Sequence, residues 1–234
     1  MPRISAVLPA YNEEENVGEA IAATVEALES ITPDYEVIVV DDGSCDGTSR
    51  VVEGLMGRYP KVRLIRHPMN RGYGGALRSG FEAARGELIF FTSSDNQYDV
   101  AEIRKLLPLI EEADIVAGYR AKRQDPLIRR FFAWGWNTLV RLLFGYAARD
   151  VDCAFKLFRR EVLDRVPLTS TGAMIDTELL VGAKRRGLRI REVAVSHFPR
   201  RAGRQTGARP DVIIKAFRDL LDFRSRLKEE LARE

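Results

Sequence analysis

Apolar and polar residues alternate in blocks along the first half of the chain. Five short runs rich in Val, Ile and Phe, at residues 4–8, 37–40, 62–65, 88–91 and 115–117, have the makeup of strands buried on both faces. Between them apolar residues recur at helical spacing: Val17, Ile21, Thr24, Val25 and Leu28; Val51, Val52, Leu55 and Met56; Leu77, Phe81 and Ala84; Ile103, Leu106, Leu107 and Ile110. Strand and helix thus alternate four times, which predicts an α/β fold with a Rossmann-like, mainly parallel sheet and helices on both faces. Ligands of such sheets sit at the carboxyl ends of the strands, so chemistry is sought there.

After Gly118 the rhythm changes. Residues 127–146 form a long helical candidate that includes Phe131, Phe132, Trp134, Trp136 and Phe144, interrupted by Asn137 and Arg141 and flanked by Arg129 and Arg130. A membrane-spanning helix needs about 20 mostly apolar residues, so this one is expected to lie at an interface and not to span. Residues 193–196 read as a late strand. Residues 211–233 read as a terminal helix with Ile213, Phe217, Leu220, Leu221 and Leu227 on one face.

Four strand ends carry candidate chemistry. The first run ends in Pro9-Ala10-Tyr11-Asn12-Glu13-Glu14-Glu15, where Asn12 and Glu15 predict a capping box and Tyr11 offers a ring on which a base could stack. The second ends in Asp41-Asp42-Gly43-Ser44-Cys45-Asp46-Gly47-Thr48. Two adjacent carboxylates at a sheet mouth are costly unless they face ligand hydroxyls, amide donors or a metal; Asp46 and Thr48 read as turn and cap. After the third run, Asn70-Arg71-Gly72-Tyr73-Gly74-Gly75-Ala76-Leu77 departs from a dinucleotide fingerprint at Leu77, where a third glycine would stand. What remains is a loop suited either to a close ligand or to unusual backbone angles. The fourth run ends in Thr92-Ser93-Ser94-Asp95-Asn96-Gln97-Tyr98-Asp99, where a carboxylate could hold a hard divalent cation alongside substrate phosphates. Asp99 reads as a helix cap, and His67 and His197 as structural.

In this order, Val7 to Glu13, Val40 to Ser44, Asn70 to Gly74 and Ser93 to Gln97 resemble the motifs of inverting GT-A family 2 glycosyltransferases. The branch they resemble is the polyprenyl-phosphate one, to which dolichol-phosphate mannose synthase belongs. Ala117-Gly118-Tyr119-Arg120, Arg129-Arg130, Asp150-Val151-Asp152-Cys153-Ala154-Phe155-Lys156 and Arg200-Arg201-Ala202-Gly203 with Thr206 extend the resemblance through most of the chain. It implies a GT-A fold that moves a sugar from a UDP- or GDP-sugar to a polyprenyl phosphate with inversion, using Mg²⁺ or Mn²⁺. Pro9, Tyr11, Glu13, Asp41 and Asp42 would serve the nucleotide, and Gly72 and Gly74 would give backbone room. Asp95 would bind the metal on the donor diphosphate, with Gln97 beside the transferred sugar. Arg120, Arg129 and Arg130 would grip the lipid phosphate, Arg200 and Arg201 would close over phosphates, and Asp152 would be an acceptor-side carboxylate. Two positions depart from the family pattern: Ser93 stands where the first Asp of Asp-x-Asp is usual, and Ala154 where Gly is usual.

On this reading residues 1–209 form the catalytic domain, with a nucleotide-sugar half at 1–117 and an acceptor half at 118–209, and residues 210–234 form a C-terminal amphipathic helical extension. The charge supports the division. Residues 1–117 hold 11 Lys+Arg against 20 Asp+Glu, and residues 118–234 hold 26 against 14, so the net +3 conceals an acidic half and a basic half. Cations in the acceptor half suit a phosphate and an anionic membrane surface. Nucleic acid is the weaker partner, since no binding motif accompanies the basic residues. At 45% apolar and 30% charged the 234 residues make one globular domain with an appendage, which excludes disordered and collagen-like classes. Cys45 and Cys153 read as free thiols of a reducing compartment, and the start of the chain lacks an apolar leader run. The expected location is therefore cytoplasmic, peripheral to the inner face of the membrane, with a separate membrane subunit left open. Two other functions stay in view: transfer to a sugar hydroxyl with Asp152, Asp176 or Glu178 as base, and a nucleotide-sugar binding homologue impaired through Ser93.

Overall fold

A computed structural model describes residues 3–121, 127–203 and 210–231. Its sheet has the order β3-β2-β1-β4-β6-β5-β7. The strands are β1 (Ile4–Ala10), β2 (Tyr35–Asp41), β3 (Val62–Arg66), β4 (Leu88–Thr92), β5 (Ile115–Arg120), β6 (Phe155–Arg159) and β7 (Ile190–Val195). The helices are α1 (Val17–Glu29), α2 (Thr48–Met56), α3 (Tyr73–Ala83), α4 (Ile103–Ile110), α5 (Leu127–Phe144), α6 (Val162–Arg165), α7 (Met174–Arg185) and α8 (Pro210–Leu231). The five apolar runs are β1 to β5, and the late strand is β7.

Alternation along the strands divides the core between two faces. Val7, Ile38 and Val40 pack with Leu77 and Phe81 of α3 and Leu179 and Leu180 of α7. Ala6, Leu8, Val37 and Val39 pack with Ile21 and Leu28 of α1 and Ile103 and Leu106 of α4. Each fully buried side chain of this kind contributes roughly 1.5–3 kcal/mol, so both helical layers are held by the sheet they cover. Phe81 locks the first face, meeting Phe91 and Phe158 edge-on at 5.5 and 5.3 Å between ring centroids.

Strand β6 runs antiparallel between β4 and β5, with Thr92 opposite Phe155 and Ala117 opposite Lys156. Its reversed direction brings residues 150–154, which precede it, to the edge where β4 and β5 end. The sequence pattern does not reveal this strand because Lys156 interrupts its apolar run, yet Lys156 is fully buried. Helix α7 is hidden for a related reason: it is buried on all sides from Met174 to Ala183, including Asp176, Thr177 and Glu178, so it has no polar face to set a period.

Helix α8 joins the same core, burying Leu220, Phe223 and Leu227 with Val140 and Phe144 of α5. The buried stripe differs from the expected one: Phe217 and Leu221 lie beside it and are exposed. No helix among the described residues is long and apolar enough to cross a membrane.

Candidate functional site

The crevice where the order of parallel strands reverses lies between the carboxyl ends of β1 and β4, the usual place for a ligand in a doubly wound sheet. The loop after β1 presents Glu13, and the loop after β4 presents Asp95. The segment after β7 crosses both. Its backbone is fixed at Gln97, whose carbonyl accepts from Phe198 N–H at 2.8 Å and whose side-chain amide donates to Phe198 O at 3.2 Å. Arg200 then donates through Nη2 to both Glu13 oxygens, at 2.6 and 2.7 Å, and places Nη1 3.6 Å from Asp95 Oδ2. Asp95 Oδ1 also accepts from Ser93 Oγ at 2.5 Å. Burial lifts Glu13 above the usual carboxylate range despite Arg200 and Asn16, so this ion pair is held in a partly desolvated crevice. Arg201, which the resemblance pairs with Arg200 in closing over phosphates, here meets Glu19 of α1 on the surface at 2.8 Å.

The expected capping box is absent. Helix α1 starts at Val17, and Asn12 sits at φ 55° with its side-chain oxygen accepting from Cys45 N–H at 2.8 Å. Asparagine tolerates this left-handed backbone, and here it ties the β1 loop to the β2 loop instead of capping. Beside it Tyr11 is exposed and Pro9 half-buried at the crevice rim. Asp46 and Asp99 do act locally as read, accepting from Thr48 and Ala101 N–H.

The two carboxylates at the end of β2 face donors of the chain itself. Asp41 accepts from Ser44 N–H at 2.9 Å and from Ser49 Oγ. Asp42 is bonded to His67 Nδ1 at 2.6 Å and accepts from Arg71 and Gly72 N–H at 2.9 and 2.8 Å. The glycine loop is therefore anchored by Asp42, which occupies the amides of Arg71 and Gly72. The room at the glycines is also filled from within. A Cβ at Gly72 would lie 2.3 Å from Thr171 O, and one at Gly74 2.4 Å from Ser170 O. Loop 170–172, which the sequence reading missed, thus stacks on the glycine loop, and Gly74 N–H donates to Thr171 O at 2.9 Å.

In the half of the chain after Gly118, β6 gathers a buried polar cluster. Arg120 forks onto Asp150 through Nε and Nη2, both at 2.6 Å, which leaves its Nη1 edge for another acceptor. Lys156 donates to Asp176 at 2.5 Å and to Cys153 O at 2.5 Å. Burial, then the charges of Asp176 and Asp150, push half-buried Asp152 up to about 7, only partly opposed by Arg120 and Lys156. Burial also lifts Asp176, against the pull of Lys156, and Tyr73 rises by burial and the Asp176 charge. Glu178 behaves oppositely. Burial acts to raise it, but Ser170 and Thr169 N–H and Arg226 outweigh burial and hold it low. Its role is to pin loop 169–170 to α7 and α8, which removes it from the candidate bases. Arg130 is exposed on α5; the Arg129 side chain and Thr206 lie outside the described residues.

A divalent cation is implied by the resemblance, and the donor chemistry here can be tested against it. Among the described residues no three His, Cys, Asp or Glu side chains cluster to hold a metal. Asp95 and Ser93 nonetheless supply a carboxylate and a hydroxyl in contact. Two hard oxygens suit Mg²⁺ or Mn²⁺ whose remaining ligands are water and diphosphate, and do not make an all-protein cage. The residues fit the ion on those terms, with Arg200 having to yield Asp95.

Residues 5–166 match the profile described as Glycosyl transferase family 2. Over 210 residues the chain is 34% identical to dolichyl-phosphate beta-glucosyltransferase ALG5A of Trichomonas vaginalis, covering 82% of this chain and 64% of that protein. Over 226 residues it is 30% identical to dodecaprenyl-phosphate galacturonate synthase of Rhizobium johnstonii, covering 95% and 65%. The chain thus spans about two thirds or less of the length of these relatives. The fold is similar, at a TM-score of 0.75 and 22% identity, to a crystal structure of glucosyl-3-phosphoglycerate synthase from Mycobacterium tuberculosis in complex with Mn²⁺, uridine-diphosphate and phosphoglyceric acid. That alignment covers 95% of this chain and 78% of the other. The motifs at the ends of β1, β2 and β4 and the whole of β6 fall within the matched stretch, and on that match the chain belongs to glycosyl transferase family 2.

Proposed function

We propose that the protein transfers a sugar from a nucleotide-diphosphate sugar to a polyprenyl phosphate, with inversion at the anomeric carbon. The observation that carries this reading is the Glu13–Arg200–Asp95 cluster in the crevice between β1 and β4, where a cation from a crossing segment meets two carboxylates from opposite loops. An arriving diphosphate can compete for Arg200, which would then face the leaving group where its charge develops. Asp95 and Ser93 would hold Mg²⁺ or Mn²⁺, which supplies further neutralisation of that diphosphate. The acceptor is argued from two features. Both relatives named above carry a polyprenyl phosphate in their names, and α5 places Arg130 next to exposed Ile128, Phe131 and Phe132. A phosphate oxygen is already anionic at neutral pH, so attack on the anomeric carbon requires orientation more than a base. The Nη1 edge of Arg120 and Arg130 would provide it. The carbon–oxygen bond to the nucleoside diphosphate breaks as the bond to the lipid phosphate forms on the opposite face.

This acceptor and the exposed aromatic face of α5 support a peripheral position against a membrane, and the cytoplasmic leaflet is the side proposed for it. Asp152, pushed up to about 7, is the one observation that favours transfer to a sugar hydroxyl, because a base near neutrality suits that proton. Incubation with UDP- and GDP-sugars and either polyprenyl phosphate or free sugars separates the two. A glycosyl phosphate lipid of inverted configuration is expected; transfer to sugar hydroxyls alone would overturn the proposal.

A further inference from the structure

A cavity of about 390 Å³ lies apart from the crevice, between the second half of α5 and the turn that follows it, lined in part by Trp134, Asn137, Arg141, Tyr146 and Arg149. Its two arginines are held by rings. Arg141 lies 4.7 Å from the centroid of Tyr146, and Arg149 lies 4.6 Å from that of Tyr119. Neither guanidinium is ion-paired with a described carboxylate, unlike Arg120, Arg200 and Arg226. One ring holds each guanidinium by cation–π attraction, and with no described carboxylate on their N–H groups these can serve an acceptor with two oxygens.

The wall around them is built rigidly. Glu192 of β7 accepts from the Tyr146 hydroxyl and from Arg149 N–H, each at 2.5 Å, which fixes the turn against the sheet. Asn137 ties the helix to the same turn, accepting from Val151 N–H at 3.0 Å while donating to Ala133 O at 2.8 Å. Tyr119 and Arg120 are successive residues of β5 and point to opposite faces, so this cavity is distinct from the Arg120–Asp150 pair. Its surroundings name the occupant. Helix α5 carries Arg129, Arg130 and Arg141 and no acidic residue, and Phe131, Trp134 and Leu142 on it are 62%, 65% and 79% exposed. Apolar side chains that can enter a bilayer thus flank two cations that have no ion-pair partner among the described residues.

We propose that this cavity receives the phosphodiester headgroup of an anionic phospholipid, so that Arg141 and Arg149 fix how the protein sits on a membrane. The site rests on the reading that the protein works at a lipid surface but is separate from the transfer reaction. Arginine forks bind phosphate oxygens in pairs, and the volume has room for a phosphodiester with a small polar head.

Co-sedimentation with phosphatidylcholine vesicles, with and without phosphatidylglycerol, tests the proposal on the natural chain and on two double variants. The natural chain is expected to prefer the anionic vesicles by at least tenfold. Arg141→Gln with Arg149→Gln should weaken that binding by about thirtyfold, as expected for two surface charges. Arg141→Lys with Arg149→Lys keeps both charges but loses the stacked forks, and should still weaken it by about tenfold. Equal affinity of the lysine variant and the natural chain would reduce the effect to diffuse attraction and overturn the proposal. Loss of the preference in millimolar inorganic phosphate at constant ionic strength would assign the arginines to free phosphate and overturn it as well. Vesicle binding needs no donor and no acceptor lipid, so failure of the transferase reading would leave this result standing, and the reverse also holds.

Discussion

Replacing Asp152 with asparagine should stabilise the folded chain above neutral pH and leave it unchanged in acid. Burial and the charges of Asp176 and Asp150 raise this carboxyl from the ordinary 3.8 to about 7. The folded chain therefore keeps a proton between about pH 4 and 7 that the unfolded chain releases. Stability contributed by this group is present below pH 4 and is lost as pH rises through 7. At 1.36 kcal/mol for each pH unit between the two values, the full penalty in the natural chain is about 4 kcal/mol. Asparagine cannot ionise, and removing the charge also relieves Asp176. The assay is urea unfolding of both chains at pH 4, 6 and 8. Equal stability is expected at pH 4, with an advantage for Asp152→Asn that grows to about 2–4 kcal/mol at pH 8. A difference that does not vary with pH, or a natural chain more stable at pH 8, would refute the placement of Asp152 among these carboxylates. Should the stabilised variant also turn over slowly, the strain at Asp152 belongs to the working site.

Two substitutions test the scaffold. Gly74→Ala forces a methyl to within 2.4 Å of Ser170 O, so it should cost about 1–3 kcal/mol in denaturant unfolding unless loop 170–172 shifts. Lys156→Met strips Asp176 of its buried partner and should cost about 3–5 kcal/mol, much of it recovered by adding Asp176→Leu, as thermal or urea melts of the single and double variants would show.

Most of the sheet is legible in the sequence because strands buried on both faces are written as short apolar runs, and β1 to β5 are such runs. β6 and α7 are not, since each carries buried charge: Lys156 in the strand and Asp176 and Glu178 in the helix satisfy one another or nearby loops across the core. No local period records a partner 20 residues away. The same limit applies to the site. Asp95, Glu13 and Asp42 are visible as polar residues at strand ends, but the contact between Arg200 and Glu13 spans 187 positions and depends on the path of the segment after β7. Gly72 and Gly74 were legible as positions needing room, whereas the claimant of that room, loop 170–172, was not. Asn12 misled because a cap and a left-handed loop residue favour the same side chain.

The central claim is that the crevice between β1 and β4, centred on Asp95, is where a donor diphosphate is handled. The most direct measurement is the initial rate of sugar transfer against Mn²⁺ and Mg²⁺ concentration for the natural chain, Asp95→Asn and Ser93→Asp. Asp95→Asn should lower turnover by a factor of about 100 or more at saturating metal, the scale on which loss of charge stabilisation is felt. Ser93→Asp, with a second carboxylate beside Asp95, should reach half-maximal rate at lower metal concentration. Full activity in Asp95→Asn at every metal concentration would contradict the account.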